Sequence, residues 1–286
     1  MMFKRKIQLT AMAVLTALSF TSCLNNEDPA TTEQEQAISA EADIEEQYTD
    51  LDQVIYDAFD IQGMGPEGAR VLATDKNNTT LKCATVTWDH NVETGGGTFK
   101  IDFGTDGCTG PYGRTRTGIV NISYTGGYWQ SGSVITTTLE NYAVNGVMVE
   151  GIRVVENVTD TGMPTFKITL TGGKLTFPNE NTATRSASRF RVYDFSNMEL
   201  LIYGTSEGTN RFGTDYVVTV DSQSPIVFST GCQPNGRYFP VSGIQTITRS
   251  RNGNALSNVV VDYGEGICDS KVSVTTDNWT GEITIK

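Results

Sequence analysis

From about residue 80 onward, apolar side chains recur at every second position. Phe99, Ile101 and Phe103 alternate with Lys100 and Asp102, and Phe166, Ile168 and Leu170 alternate with Lys167 and Thr169. The spacing returns at Tyr216, Val218 and Val220, at Val259, Val261 and Tyr263, at Val272 and Val274, and at Ile283 and Ile285. Successive side chains of a strand point to opposite faces, so this pattern predicts strands with one buried and one solvated face. Gly, Asn, Asp and Ser turns separate the runs every 8–12 residues or so, which predicts about a dozen antiparallel strands. The 29 glycines suit tight turns and bulges. The expected fold is all-β: an antiparallel many-stranded sheet domain over residues 63–286, whether sandwich, barrel or extended sheet. Residues 180–187 are the one internal boundary to consider.

One segment departs from this period. Over residues 39–62, Ile44, Tyr48, Leu51, Val54, Ile55, Ala58 and Phe59 fall at spacings of three and four, which predicts an N-terminal amphipathic helix. Ser39 is placed to cap it, Glu41, Asp43 and Glu45 suit the positive end of its dipole, and Gly63 and Gly65-Pro66 end it. The helix is expected to lay its apolar stripe on the β-domain; a free helix seeking a partner is the alternative. Residues 23–38 are polar, with Pro29, Thr31, Thr32 and repeated Glu and Gln. They bury too little to fold alone and read as a flexible acidic tether.

The start of the chain predicts a compartment. Lys4, Arg5 and Lys6 precede an apolar run from Leu9 to Phe20, which leads into Thr21-Ser22-Cys23. These are the parts of a signal peptide over residues 1–22, and the run is shorter than the roughly 20 residues of a membrane span. Ser22-Cys23 resembles the lipobox of bacterial lipoproteins, with Phe20 where Leu is usual, and the resemblance implies lipidation at Cys23. Acyl chains would then anchor the chain to a membrane, each buried methylene adding about 0.8 kcal/mol. An ordinary cleaved signal with a chance cysteine is the alternative. The chain carries 21 Lys+Arg and 33 Asp+Glu; without Lys4, Arg5 and Lys6 the balance is 18 minus 33, or −15. Such a surface repels phosphate backbones, so no nucleic acid partner is expected. Acid is dense from Glu27 to Glu46, which resembles the acidic start of surface-displayed Bacteroidetes lipoproteins; the resemblance implies an outer membrane lipoprotein exposed at the cell surface, with a periplasm-facing one as the alternative.

Beyond Cys23 stand Cys83, Cys108, Cys232 and Cys268. Four cysteines in an exported chain predict two disulfides, with three pairings open. Cys83–Cys108 with Cys232–Cys268 is favoured, because two short phrases echo each other: Ile101-Asp102-Phe103-Gly104 leads to Cys108, and Val261-Asp262-Tyr263-Gly264 leads to Cys268. Each echoing cysteine then has a partner in its own half. Asp102 and Asp106 are weak calcium candidates in a Gly-kinked turn. The late bidentate Glu of a calcium loop is missing, and a turn closed by Asp side-chain bonds is the preferred reading. With one histidine and no CxxC, no metal site is expected.

Catalysis has few candidates. His90 is the sole histidine and reads as an exposed turn residue; no Gly-x-Ser-x-Gly elbow marks a nucleophile. A carboxylate-based glycoside hydrolase needs only two acids at a set separation, and the sequence selects no pair, so no catalytic residue is assigned. Gly95-Gly96-Gly97 joins strand to strand, so no helix N-terminus waits there for a phosphate, and no cofactor is expected. Tyr112, Tyr128, Trp129 and Tyr142 are candidate ligand-binding aromatics for a glycan. Tyr128 and Trp129 would face opposite ways if they lie on a strand.

Several phrases together resemble an uncharacterised Bacteroidetes lipoprotein family of flavobacteria-like species with no assigned activity. They are Ala40-Glu41-Ala42; Cys83-Ala84-Thr85-Val86-Thr87; Ile101-Asp102-Phe103-Gly104; Gly113-Arg114-Thr115-Arg116-Thr117-Gly118; Tyr124-Thr125-Gly126 with Tyr128; Asp262-Tyr263-Gly264-Glu265-Gly266; and Gly281-Glu282-Ile283-Thr284-Ile285. The resemblance implies an exported, lipid-anchored all-β protein and carries over no functional residues. The expected role is a non-enzymatic surface binding or structural protein of the cell envelope, with a glycan or an envelope protein as partner.

Overall fold

The computed structural model describes residues 29–63, 79–232, 239–269 and 271–284. The expected signal peptide, Cys23 and the Gly65-Pro66 stop lie outside the described residues. Among the described residues one α-helix, α1 (Pro29–Ile61), precedes fifteen strands. These are β1 (Thr85–His90), β2 (Gly97–Asp102), β3 (Cys108–Thr109), β4 (Thr115–Tyr124), β5 (Val134–Val144), β6 (Val147–Asn157), β7 (Thr165–Thr176) and β8 (Thr182–Asp194). They continue with β9 (Glu199–Thr209), β10 (Asp215–Val220), β11 (Ile226–Ser229), β12 (Pro240–Arg251), β13 (Asn254–Glu265), β14 (Lys271–Thr275) and β15 (Thr280–Thr284).

All fifteen belong to one antiparallel sheet. Strands follow each other in chain order, except that β3 pairs only with β4 and β11 bridges β9 and β12. Among the described residues no pairing joins β1 to β15, so the sheet is open. The all-β expectation holds, and the described strands form one many-stranded antiparallel sheet. Phe177–Asn181 is a hairpin turn between β7 and β8, whose pairing reaches Thr176–Thr182; it is not a domain boundary.

The helix starts ten residues before the predicted Ser39 cap, which sits exposed inside it. Part of the expected tether is therefore helical. Pro29 suits a first helical position, and the Ala, Glu and Gln that follow are good helix formers. Their polar composition hid a docking role: Gln34, Ala37 and Ile38 are buried, and Glu33 pairs with Arg249 of β12 at 3.6 Å. The predicted stripe is the helix's innermost surface, with Ile44, Tyr48, Leu51, Val54, Ile55, Ala58 and Phe59 all buried.

The helix is enclosed on more than one side. At about 100° per residue, the apolar stripe is bounded on one flank by Asp43, Glu46, Asp50 and Asp57 and on the other by Glu41, Glu45 and Asp52. In its middle, a narrow strip including Ala42, Thr49 and Gln53 is exposed. The helix also crosses the strands. Phe59 packs on Phe99 of β2, Asp52 meets Arg153 of β6 and Arg191 of β8, and Glu33 meets β12. From Glu33 to Phe59 the helix rises about 39 Å; the eight steps from β2 to β12, at about 4.8 Å each, span about 38 Å. One helix is therefore long enough to cover most of one sheet face.

Glycine bulges let the sheet curl around it. The ladder slips a residue at Gly118 in β4, Gly151 in β6, Gly172 in β7 and Gly243 in β12. All four have positive φ, which residues with a Cβ adopt only at a cost. A bulge bends its strand and sharpens the local twist, so bulges spread across the sheet fold its inner face over the helix. Cys83–Cys108 and Cys232–Cys268 are bridged, with Cα atoms 5.5 and 5.3 Å apart, in the pairing the sequence favoured. The first ties the lead-in of β1 to β3, and the second ties the segment after β11 to that after β13.

Candidate functional site

The four candidate aromatics do not form a platform. Tyr142 is fully buried and donates to Asp50 Oδ2 at 3.3 Å; burial and the neighbouring Asp50 carboxylate raise its hydroxyl above the ordinary tyrosine range. Tyr128 is also buried, edge-on to Tyr56 and Phe59 at 5.9 and 5.8 Å. Trp129 is half-buried and packs on Phe166, Tyr193 and Phe195 at 5.3, 5.0 and 5.5 Å. Tyr128 and Trp129 sit in the turn between β4 and β5, so strand alternation does not separate them and both pack inward. Tyr112 lies in the short turn Pro111–Gly113, and its side chain is outside the described residues. Phe195, on the turn after β8, is the exposed member of this cluster at 54 %; a lone Phe beyond a strand end gave the sequence reading no reason to choose it.

Asp102 closes its own turn: Oδ1 accepts from Gly104 N at 2.8 Å. Asp262 does the same to Gly264 N at 2.8 Å, so the two echoing phrases are one turn solution used twice. Asp106 accepts only a long bond from Thr105 Oγ1 at 3.5 Å. Among the described residues no group of three or more His, Cys, Asp or Glu is placed to hold a metal ion. His90 is not the free turn residue expected. It ends β1, lies half-buried near-parallel to the rings of Trp88 and Tyr124, and places Nδ1 3.1 Å from the Tyr124 hydroxyl.

The strongest electrostatic feature is internal. Arg185 and Arg189 of β8 each reach both Glu41 and Glu45, at 2.9–3.2 Å. Arg153 and Arg191 share Asp52. On the opposite flank Arg116 and Arg114 converge on Asp50 at 2.5 and 3.0 Å, with Glu46 also held by Arg114 at 2.7 Å. Burial pushes the Glu45 carboxyl up, but Arg189, Arg185, Arg191 and Arg153 together outweigh it and hold the group at about 2. For Asp43 the balance reverses: burial raises it by more than Arg211, 2.9 Å away, lowers it. A signal for this clamp existed. Arg185, Arg189 and Arg191 share the inward parity of Ala183 and Ala187 in β8, and acids flank the helix stripe at spacings of four.

A surface concavity lies on the sheet face away from the helix. It is an open trough of about 690 Å³ crossing β7, β8, β9, β10 and β12. Register builds it. Lys174, Thr184, Thr209, Asp215 and Ser250 fall in one row across the strands, and Ser186, Glu207, Val217 and Thr248 in the next. Nearly all are short hydroxyl residues or carry charge. Asp215 Oδ1 accepts from Thr209 Oγ1 at 2.6 Å. Between the rows lie Gly173 and Gly208, where neighbouring backbone comes too close for a side chain: a Cβ on Gly208 would sit 1.9 Å from Thr184 O.

Compared with known proteins, this chain matches no family model, no curated protein and no solved structure.

Proposed function

We propose that this is a lipid-anchored envelope protein that acts by binding, and that the trough across β7–β12 is its ligand surface. The trough carries the reading. It is open along its length, and it offers hydroxyls in two parallel rows with Lys174, Glu207 and Asp215 among them. Many directional but individually modest hydrogen bonds suit an extended polar chain whose own groups repeat, and a glycan has that chemistry. A sheet with a buried helix behind it provides a rigid floor, so binding orders little of the protein. The charged start, apolar run and Ser22-Cys23 support export and anchoring at the outer membrane, facing outward.

The test has two arms. Titration calorimetry against a panel of neutral and basic polysaccharides should find one that binds saturably, with binding lost in Asp215→Arg and Thr209→Arg, which block an exposed floor without touching the core. Absence of binding across the panel, or equal binding by both variants, would remove the trough as the site. Membrane fractionation should move Cys23→Ala from the pellet to the soluble fraction; a variant that stays in the pellet would remove the anchor.

A further inference from the structure

Where the helix meets β6, β7, β8 and β9 there is a small internal void of about 20 Å³. It has room for one small occupant, since about one water-sized sphere needs 10–15 Å³ or so. Arg153, Arg185, Arg189 and Arg191 line it, with Glu45 the one carboxylate, and Ile168, Leu170 and Ile202 complete the wall. All four arginines are buried.

The charges around this void do not balance. The four guanidinium groups pair with Glu41, Glu45 and Asp52, which leaves one positive charge over. Donors are also in excess: the three carboxylates and the Ser206 hydroxyl, 3.0 Å from Arg189 Nη2, accept the other bonds, yet Arg189 Nε is buried with no partner. An unpaired charged donor in the interior is costly, because the group has lost its water without gaining an acceptor. A neutral water would accept one or two bonds and leave the charge. A single monovalent anion accepts several and cancels it.

We propose that this void is a structural site for one small monovalent anion of chloride size, held by the arginines of β6 and β8. The ion completes the clamp between the helix and the sheet. Glu45, a third exposed at its side chain, marks the way in from solvent.

Two measurements on the intact wild-type protein test this. Crystals grown or soaked in sodium bromide should show an anomalous peak in the void, in contact with Arg189. Thermal unfolding at fixed ionic strength should rise saturably as chloride replaces isethionate, by about 5–10 °C at a hundredfold excess over the dissociation constant. Arg189→Gln removes the surplus charge and should flatten that chloride dependence; if it does not fold, the two wild-type measurements stand without it. Bromide found only at the surface, or unfolding temperatures equal in chloride and isethionate, would overturn the proposal.

Discussion

Asp50 and Arg116 meet as a two-pronged pair inside the protein, Arg116 Nε donating to Asp50 Oδ2 at 2.9 Å and Nη2 to Oδ1 at 2.5 Å. Both side chains are almost wholly out of water, at 2 and 3 % exposure. The pair joins the middle of the helix to β4 across 66 residues of sequence. Removing one member strands a buried charge, so Asp50→Ala should cost about 3–5 kcal/mol in urea unfolding. The double variant Asp50→Leu with Arg116→Met removes both charges and should recover most of that loss. If the double variant is no better than the single one, the pair is not acting through uncompensated charge.

Acid should loosen the helix clamp in a defined window. Glu45 is held at about 2 against 4.5 for the free side chain. A carboxyl lowered on folding contributes stability in full above its unfolded value and loses it as pH falls toward its folded one. Unfolding midpoints should therefore drop between about pH 4.5 and pH 2. Glu45→Gln should start lower and show a shallower slope over that window, followed by circular dichroism in urea.

Bulge and turn glycines should separate cleanly. Gly118→Ala puts a methyl about where Asn141 O lies, 2.2 Å away, and also imposes φ of +79°. Gly253→Ala, in the β12–β13 turn at φ +78°, meets nothing within 4 Å. The turn variant should lose only the left-handed penalty of about 1–2 kcal/mol. The bulge variant should lose clearly more, because backbone rather than a flexible side-chain end must move. Equal losses would mean that β4 can shed its bulge without consequence.

The two bridges close spans of 25 and 36 residues. Loop entropy gives each about 3–4 kcal/mol. Replacing Cys232 and Cys268 with Ser, or Cys83 and Cys108 with Ser, should each lower the unfolding free energy by about that much. Reduction of the wild type should lower it by about the sum, since the bridges lie in different parts of the sheet.

Period-two alternation made the strands legible because one sheet face is buried along nearly its whole width. Val218, Val259 and Val261 are inward and fully shielded, as their spacing required. The helix stripe was readable for the same reason at period 3.6. What escaped was pairing between polar groups. Glu41 and Arg189 look like ordinary solvated charges in isolation; only a helix laid across β8 makes them neighbours. The first ten residues of the helix were lost the same way, since their docking depends on β12. Tyr128 and Trp129 sit in a Gly-rich turn, where strand alternation does not decide which way each side chain points. The trough was not legible at all: it arises from register between rows of Thr and Ser that carry no local pattern.

The helix precedes every strand in the chain, and the partners of its N-terminal half are made late. Glu41 waits for Arg189, 148 residues downstream, and Glu33 for Arg249. Synthesis from the N-terminus therefore pairs Glu46 and Asp50 early, with Arg114 and Arg116, but leaves Glu41 and Glu45 without partners until β8 is made and Glu33 until β12 is made. Closing such distant contacts is entropically slow, whereas neighbouring strands, which follow each other in chain order, pair locally. Under the proposed export, the clamp between helix and sheet would close only after the strands that carry its arginines have emerged, so the helix would reach its final place late.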